Sequence, residues 1–414
     1  MKLNATYIKI RDKWWGLPLF LPSLILPIFA HINTFAHISS GEVFLFYLPL
    51  ALMISMMMFF SWAALPGIAL GIFVRKYAEL GFYETLSLTA NFIIIIILCW
   101  GGYRVFTPRR NNVSHGDSRL ISQRLFWQIV FPATLFLILF QFAAFVGLLA
   151  SRENLVGVMP FNLGTLINYQ ALLVGNLIGV PLCYFIIRVV RNPFYLRSYY
   201  SQLKQQVDAK VTKKEFAIWL LALGALLLLL CMPLNEKSTI FSTNYTLSLL
   251  LPLMMWGAMR YGYKLISLLW AVVLMISIHS YQNYIPIYPG YTTQLTITSS
   301  SYLVFSFIVN YMAVLATRQR AVVRRIQRLA YVDPVVHLPN VRALNRALRD
   351  APWSALCYLR IPGMEMLVKN YGIMLRIQYK QKLSHWLSPL LEPGEDVYQL
   401  SGNDLALRLN TESH

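Results

Sequence analysis

Charge is what this chain has least of. Charged side chains make up 13% of its 414 residues and hydrophobic ones 57%, where a soluble domain carries about 25% and about 45–50%. So few charges cannot cover a water-exposed surface, and lipid is the solvent for most of the chain, in keeping with a mean hydropathy of +0.53. Acidic groups are the scarcest: 17 Asp and Glu against 36 Lys and Arg, a net charge of +19. The apolar runs hold no chain of carboxylates and no dense row of arginines, which argues against a proton pump or a voltage sensor. The positive balance does not imply nucleic acid, because the basic residues sit in loops between apolar runs rather than in one patch. The four cysteines, Cys99, Cys183, Cys231 and Cys357, have neither metal-ligand nor disulfide spacing and read as small hydrophobes. A cleavable leader is missing too. The first apolar run follows Lys2, Lys9, Arg11 and Lys13, but it holds Pro18, Pro22 and Pro27 and no small-residue cleavage site.

What is present is a succession of apolar runs. A spanning helix needs about 20 apolar residues. Trp15–Ile32, Leu86–Tyr103, Leu125–Ala150, Leu163–Ile187, Phe216–Leu234 and Ser299–Ala316 qualify, and Thr246–Ala258 and Leu265–His279 form a close pair. The 32 residues from Val43 to Val74 would reach about 48 Å as one helix at about 1.5 Å per residue, too far for one bilayer. Ser61-Trp62 and Pro66-Gly67 offer a break, predicting two helices, Val43–Phe60 and Ala63–Val74, the second short or re-entrant. Ten helices result. With the N-terminus inside, the inner segments before the C-terminal tail carry eighteen Lys and Arg. The outer loops carry four: Arg75, Lys76, Arg152 and Lys237. That bias predicts a multi-pass membrane protein with both termini cytoplasmic. Arg75 and Lys76 are the exception, to be met by snorkelling or by a helix that does not cross.

Polar amides occur at membrane depth. Asn168, Gln170 and Asn176 lie in one helix, where Asn168 and Asn176 nearly share a face. They suit either hydrogen bonding between helices or a ligand pocket. His31, His37 and His279 fall near outer ends of spans and read as interfacial rather than metal-binding, and no metal site is expected.

Two stretches carry a resemblance. In VGNLIGVPLCYFIIR, Asn176 stands where an acidic residue is frequent and Pro181 follows the glycines. PLMMWGAMRYG supplies Pro252, Trp256, Arg260 and Gly262. Residues 15–317 thereby resemble the MASE1 sensory domain of bacterial membranes. The side chains make sense locally: Trp256 packing at depth, Arg260 bonding helix-end carbonyls and headgroups, Gly262 permitting a tight return.

The last span runs into a basic helix, residues 318–332, with Val322, Val323, Ile326 and Leu329 among five arginines. Anionic headgroups suit it, and no Pro or Gly interrupts it between Val309 and Tyr331. LAYVDPVVHLPNVRALNRAL follows. Ala330, Asp333, Leu338, Pro339, Asn340 and Leu344 match the entry signature of GGDEF domains, with Val336-His337 in place of Thr-Gly. SALCYLRI reads as a first buried strand, Asn370–Leu387 as one helix and Val397–Asn410 as a hairpin. Residues 333–414 thus resemble a partial α/β domain of the nucleotidyl-cyclase type, below a polytopic helical bundle.

In that family carboxylates hold Mg²⁺ on a triphosphate and polar side chains read guanine. Here the metal-binding Asp falls on Arg360, and the guanine contacts fall on Val368 and Ile377. The signature loop is Ser401-Gly402-Asn403-Asp404-Leu405, and Glu392 and Glu395 stand at the product-inhibition positions. A guanidinium where Mg²⁺ would sit forbids cyclisation. Only 81 residues follow Asp333 (414 − 333), about half of such a domain, so further chain is expected. MASE1 followed by a degenerate GGDEF domain is most often followed by an EAL phosphodiesterase domain.

The resemblance therefore implies the sensory and regulatory half of a cyclic-di-GMP phosphodiesterase. It implies no cofactor in this stretch, Mg²⁺ or Mn²⁺ in the EAL domain, and membrane lipid, a second protomer and an unknown sensory ligand as partners. A membrane scaffold, or a transporter or channel, is the alternative. Given GTP with Mg²⁺, or cyclic-di-GMP, the purified chain is expected to turn over neither. Turnover abolished by substitution within residues 334–409 would overturn that expectation.

Overall fold

A computed structural model describes residues 11, 13–39, 41–107, 120–148, 162–232, 245–285, 289–351, 353–360, 362–400 and 404–410. The chain forms two compact units, Met1–Arg318 and Gln319–His414.

The first unit is a helical bundle: α1 (Leu17–Ile32), strands β1 (Thr34–Ile38) and β2 (Gly41–Phe46), α2 (Pro49–Phe60), α3 (Leu65–Leu80) and α4 (Phe82–Phe106). Then come α5 (Ile121–Phe145), α6 (Leu163–Arg191), α7 (Tyr195–Gln206), α8 (Lys213–Cys231), α9 (Tyr245–Tyr261), α10 (Tyr263–His279) and α11 (Tyr291–Tyr331). Among the described residues six segments are long and apolar enough to cross a membrane: Pro49–Leu80, α4, α5, α6, α8 and α11. α1 and α10 are shorter apolar helices.

Residues 43–80 are corrected. Val43–Phe46 is strand, not helix, and pairs antiparallel with β1, Phe35 opposite Phe44 and His37 opposite Glu42. The run is β-branched and aromatic, and periodicity alone cannot separate a short buried strand from a helix. The break at Ser61 takes a left-handed backbone (φ 53°), leading through a tight turn, Ser61–Ala64, into α3. That helix extends past Val74 to Leu80. α7, a short helix with a mixed polar and aromatic surface, was not anticipated inside the basic loop 188–214.

The hairpin exposes Phe35, His37 and Glu42 but buries β2 from Val43 to Phe46, and the buried backbone needs partners. The Phe44 N–H donates to Asn168 Oδ1 at 2.7 Å, and the Phe35 carbonyl accepts from the Tyr281 hydroxyl at 3.2 Å. Non-helical backbone survives among transmembrane helices only when protein meets its polar groups. Close packing follows on α6: a Cβ on Gly175 would stand 1.9 Å from the Tyr47 carbonyl oxygen, and one on Gly179 2.6 Å from Leu48 and 2.8 Å from Ala51. Small residues four apart let two backbones approach.

In the second unit β5 (Leu405–Asn410) is central, with β3 (Ser354–Leu359) and β4 (Asp396–Gln399) antiparallel on either side. Alternate residues of β5 face opposite ways. Leu405 and Leu407 pack with Leu383 and Leu387 of α14 (Ile373–Leu387), while Ala406 packs with Leu344 of α12 (Val341–Asp350). Two expectations fail here. β3 is an edge strand, its Leu356 and Tyr358 exposed rather than buried. The expected single helix is two, α13 (Met364–Tyr371) and α14, divided at Gly372.

Gly175→Ala is expected to destabilise the membrane unit by about 1–3 kcal/mol, the usual cost of overpacking. Gly101→Ala on α4, whose Cβ would meet nothing within 4 Å, should be neutral or stabilising, since Ala is the better helix former. Thermal unfolding in detergent compares the two, and equal effects would contradict the close approach.

Candidate functional site

Three places hold the residues singled out by sequence. The first is the polar stripe of α6. Asn168 (2% exposed) serves the hairpin, and Gln170 Nε2 donates to Ser300 Oγ of α11 at 2.7 Å. Asn176, fully buried, reaches from Nδ2 toward the Ile129 carbonyl at 3.4 Å. Ile129 lies in a π-helical turn, Leu125–Val130, within α5, and such turns free backbone carbonyls for side chains. These amides tie α6 to three neighbours and are not gathered around one pocket. Pro181 interrupts the hydrogen-bond ladder of the same helix.

The second is the α9–α10 return. Gly262 has φ +82°, and a Cβ there would press on Gln206 (2.9 Å) and on Thr317 Oγ1 (3.2 Å). Thr317 Oγ1 accepts the Tyr263 N–H at 2.9 Å and donates to the Ala313 carbonyl at 2.8 Å. A hydroxyl on α11 therefore caps the first turn of α10. Gln206 Oε1 accepts the Lys264 N–H at 3.0 Å, and Lys264 Nζ donates to Gln202. Arg260 meets Asp208 at 3.1 Å and Glu215 at 3.5 Å, while its carbonyl accepts the Asp208 N–H at 3.0 Å. Arg260 thus pairs with two carboxylates rather than with helix-end carbonyls. Trp256 is half-buried against Tyr261 and Arg260. The deep indole is Trp219 of α8, which takes the space that a side chain on Gly257 would need and donates to the Leu253 carbonyl at 2.9 Å. Pro252 is exposed on α9.

The third is the set of positions in the second unit that the sequence resemblance singled out. Its entry loop is well built. Asp333 Oδ1 accepts the Val335 and Val336 N–H groups, and Asn340 Oδ1 caps α12 by accepting from Arg342 and Ala343. His337, where the family has Gly, takes φ +61°, a left-handed position costing a non-glycine residue about 1–2 kcal/mol. Among the described residues the positions singled out by the resemblance lie in different surroundings. Arg360 is exposed just past β3; Val368 and Ile377 are half-buried on α13 and α14; Leu405 is buried in the core. Asp404 accepts the Tyr358 hydroxyl, and that bond holds the Tyr358 phenol above its usual pKa, because ionisation would remove the donor. Ser401, Gly402 and Asn403 lie outside the described residues. A divalent cation does not fit a donor set of one guanidinium and one hydrogen-bonded carboxylate. Among the described residues no group of three or more His, Cys, Asp or Glu could hold a metal. His31, His37 and His279 are each exposed.

Sequence reasoning missed Thr317, Gln206, Asp208, Glu215 and Trp219. Their roles come from contacts 34 to 58 residues apart along the chain, and only the turn at Gly262 signalled the junction.

Thr317→Val keeps the shape but leaves the Tyr263 N–H without its acceptor. It should cost about 1–3 kcal/mol of membrane-unit stability, read as a lower unfolding temperature, and Thr317→Ser should restore most of it. An unchanged value for the valine variant would remove Thr317 from the junction.

The MASE1 family profile matches residues 15–320. The chain is 99% identical over 414 residues, its whole length and 55% of the relative's, to the cyclic di-GMP phosphodiesterase PdeF of Escherichia coli (strain K12). It is 26% identical over 408 residues, covering 96% of this chain and 54% of the relative, to the probable cyclic di-GMP phosphodiesterase PdeA of the same organism. The chain spans about half the length of these curated relatives. No solved structure matches it.

Proposed function

The chain belongs to the MASE1 family, a family of membrane sensory domains, and from that premise we propose that it is the membrane sensory and regulatory half of a cyclic-di-GMP phosphodiesterase. The near-identity to the Escherichia coli phosphodiesterase over the whole chain carries the reading. Hydrolysis then belongs to an EAL domain downstream, with its own Mg²⁺ or Mn²⁺, and the second unit is a GGDEF-like relay without chemistry. Ten membrane helices with both ends in the cytoplasm, in the inner membrane, agree with the charge bias. A dimer would give the relay a surface to work against.

The route between signal and relay is α11. It holds Ser300, bonded to Gln170, and Thr317, which caps α10, and it continues to Tyr331. A helix of 41 residues extends about 60 Å at about 1.5 Å per residue, enough to cross a bilayer and enter the cytoplasm. Ligand-dependent packing of the bundle would bias its position, as a two-state switch requires.

Insertion of two glycines after Thr317 in the full-length protein should leave membrane insertion intact and give the phosphodiesterase activity of a form lacking the membrane unit. If the insertion behaves as wild type while deletion changes activity, the helix is only a tether. If all three forms are equally active, the regulatory reading fails and a scaffold role gains.

A further inference from the structure

The first unit encloses a cavity of about 550 Å³ between α1, the hairpin, α2, α3 and α4, within the range of roughly 300–1,000 Å³ of small-molecule sites. Leu26, Ile72, Leu88 and Phe92 give it apolar walls. Its charged lining is His37, Glu42, Arg75 and Lys76. Most of this charge is already matched. His37 Nδ1 and the Glu42 carboxylate are 3.3 Å apart across the hairpin, and Lys76 pairs with Glu79 at 2.8 Å. Arg75 differs. Its Nε is shut off from solvent and has no hydrogen-bond partner among the described residues. Arg75 is half-buried, and Glu79 acts on it only through space; the buried Nε–H without an acceptor still costs free energy unless an anion completes it.

Position adds an independent reason. The hairpin binds α6 at Asn168, while the junction with α10 lies near the other end of α6, where Arg188 follows 20 residues later (188 − 168). Arg188 and Lys264 both line a small cleft there. Twenty helical residues span about 30 Å, the thickness of the hydrocarbon core. Arg75 and Lys76 are therefore basic residues at the end of the bundle away from most of the other cations, where the charge bias disfavours them. A ligand site gives that placement a reason.

We propose that this cavity binds an amphipathic organic anion, with its anionic head on Arg75 and its apolar body against Leu26, Ile72 and Phe92. A planar carboxylate suits the guanidinium fork, accepting two parallel N–H hydrogen bonds from it. A free organic acid and an anionic phospholipid share this chemistry. The inference rests on reading the membrane unit as sensory, and names the class of signal. Bound there, the ligand touches the hairpin, α2 and α3 together, and the hairpin's edge bonds lead to α6.

Decanoate, decanol and decyltrimethylammonium serve as probes for the full chain in phosphatidylcholine nanodiscs, with binding read by calorimetry and thermal shift. Decanoate should bind saturably, and decanol and the cation at least about tenfold more weakly. Arg75→Gln should weaken decanoate about tenfold or more, the usual scale for losing a buried charged hydrogen bond, with decanol unchanged. Should Arg75→Gln fail to fold, Ile72→Trp fills the cavity with Arg75 intact and should abolish saturable decanoate binding. Equal binding by all three probes, or decanoate binding unchanged in the folded variant, overturns the proposal. In phosphatidylglycerol nanodiscs, decanoate affinity reduced about tenfold assigns the site to an anionic lipid, and unchanged affinity assigns it to a free acid. Binding is read without any phosphodiesterase, so failure here leaves the regulatory reading standing, and failure of regulation leaves the binding result standing.

Discussion

A backbone amide buried among transmembrane helices has no water to fall back on, so its partner must come from the protein. That constraint governs the first unit from the hairpin outward. Two strands placed inside a helical bundle expose one ladder edge each. Asn168 meets one and Tyr281 the other. Asn168 can reach Phe44 only if α6 lies against the segment that follows β2, and that approach needs bare backbone at Gly175 and Gly179. The amide and the glycines are one device: the glycines set the distance, and the amide uses it.

The same economy appears at the far end. Gly262 turns the chain in a conformation that other residues resist, and the first amide of α10 is left facing Thr317. A helix that needs capping by its neighbour cannot move independently of it. Because Gln170 holds α11 at Ser300 and Thr317 holds it at α10, the final helix has two fixed points 17 residues apart (317 − 300). Displacement of α6 or α10 would therefore act on this helix directly through a hydrogen bond at each point.

Much of this was legible in the sequence and some could not have been. Helix positions followed from run length, because the hydrocarbon thickness fixes how long an apolar helix must be. The break at Ser61 followed from a run too long for one crossing. Val43–Phe46 did not, since an apolar β-branched and aromatic stretch fits a buried strand and a spanning helix equally well. The stripe Asn168–Asn176 could be read as polar and buried, but its partners could not. Asn168 bonds a hairpin amide 124 residues away in sequence, and no local pattern encodes that. Arg260 was legible as a helix-end cation. Its carboxylates on a separate segment, Asp208 and Glu215, were not.

The second unit shows the opposite balance. Its scaffold residues are kept and spent on structure: Asp333 and Asn340 cap the entry loop and α12. The positions singled out by the resemblance hold a guanidinium at Arg360 and hydrocarbon at Val368 and Ile377. The carboxylate of Asp404 is engaged by Tyr358. Selection for catalysis would leave carboxylates open to a cation, whereas selection for shape needs only that the loops and helices stay in place. His337 argues the same way. It bears the cost of a left-handed backbone where glycine would be free of it, so the surrounding loop is firm enough to hold a strained turn. Among the described residues, the polar side chains of the entry loop are spent on turns and caps, and what they fix is the position of that loop against α12.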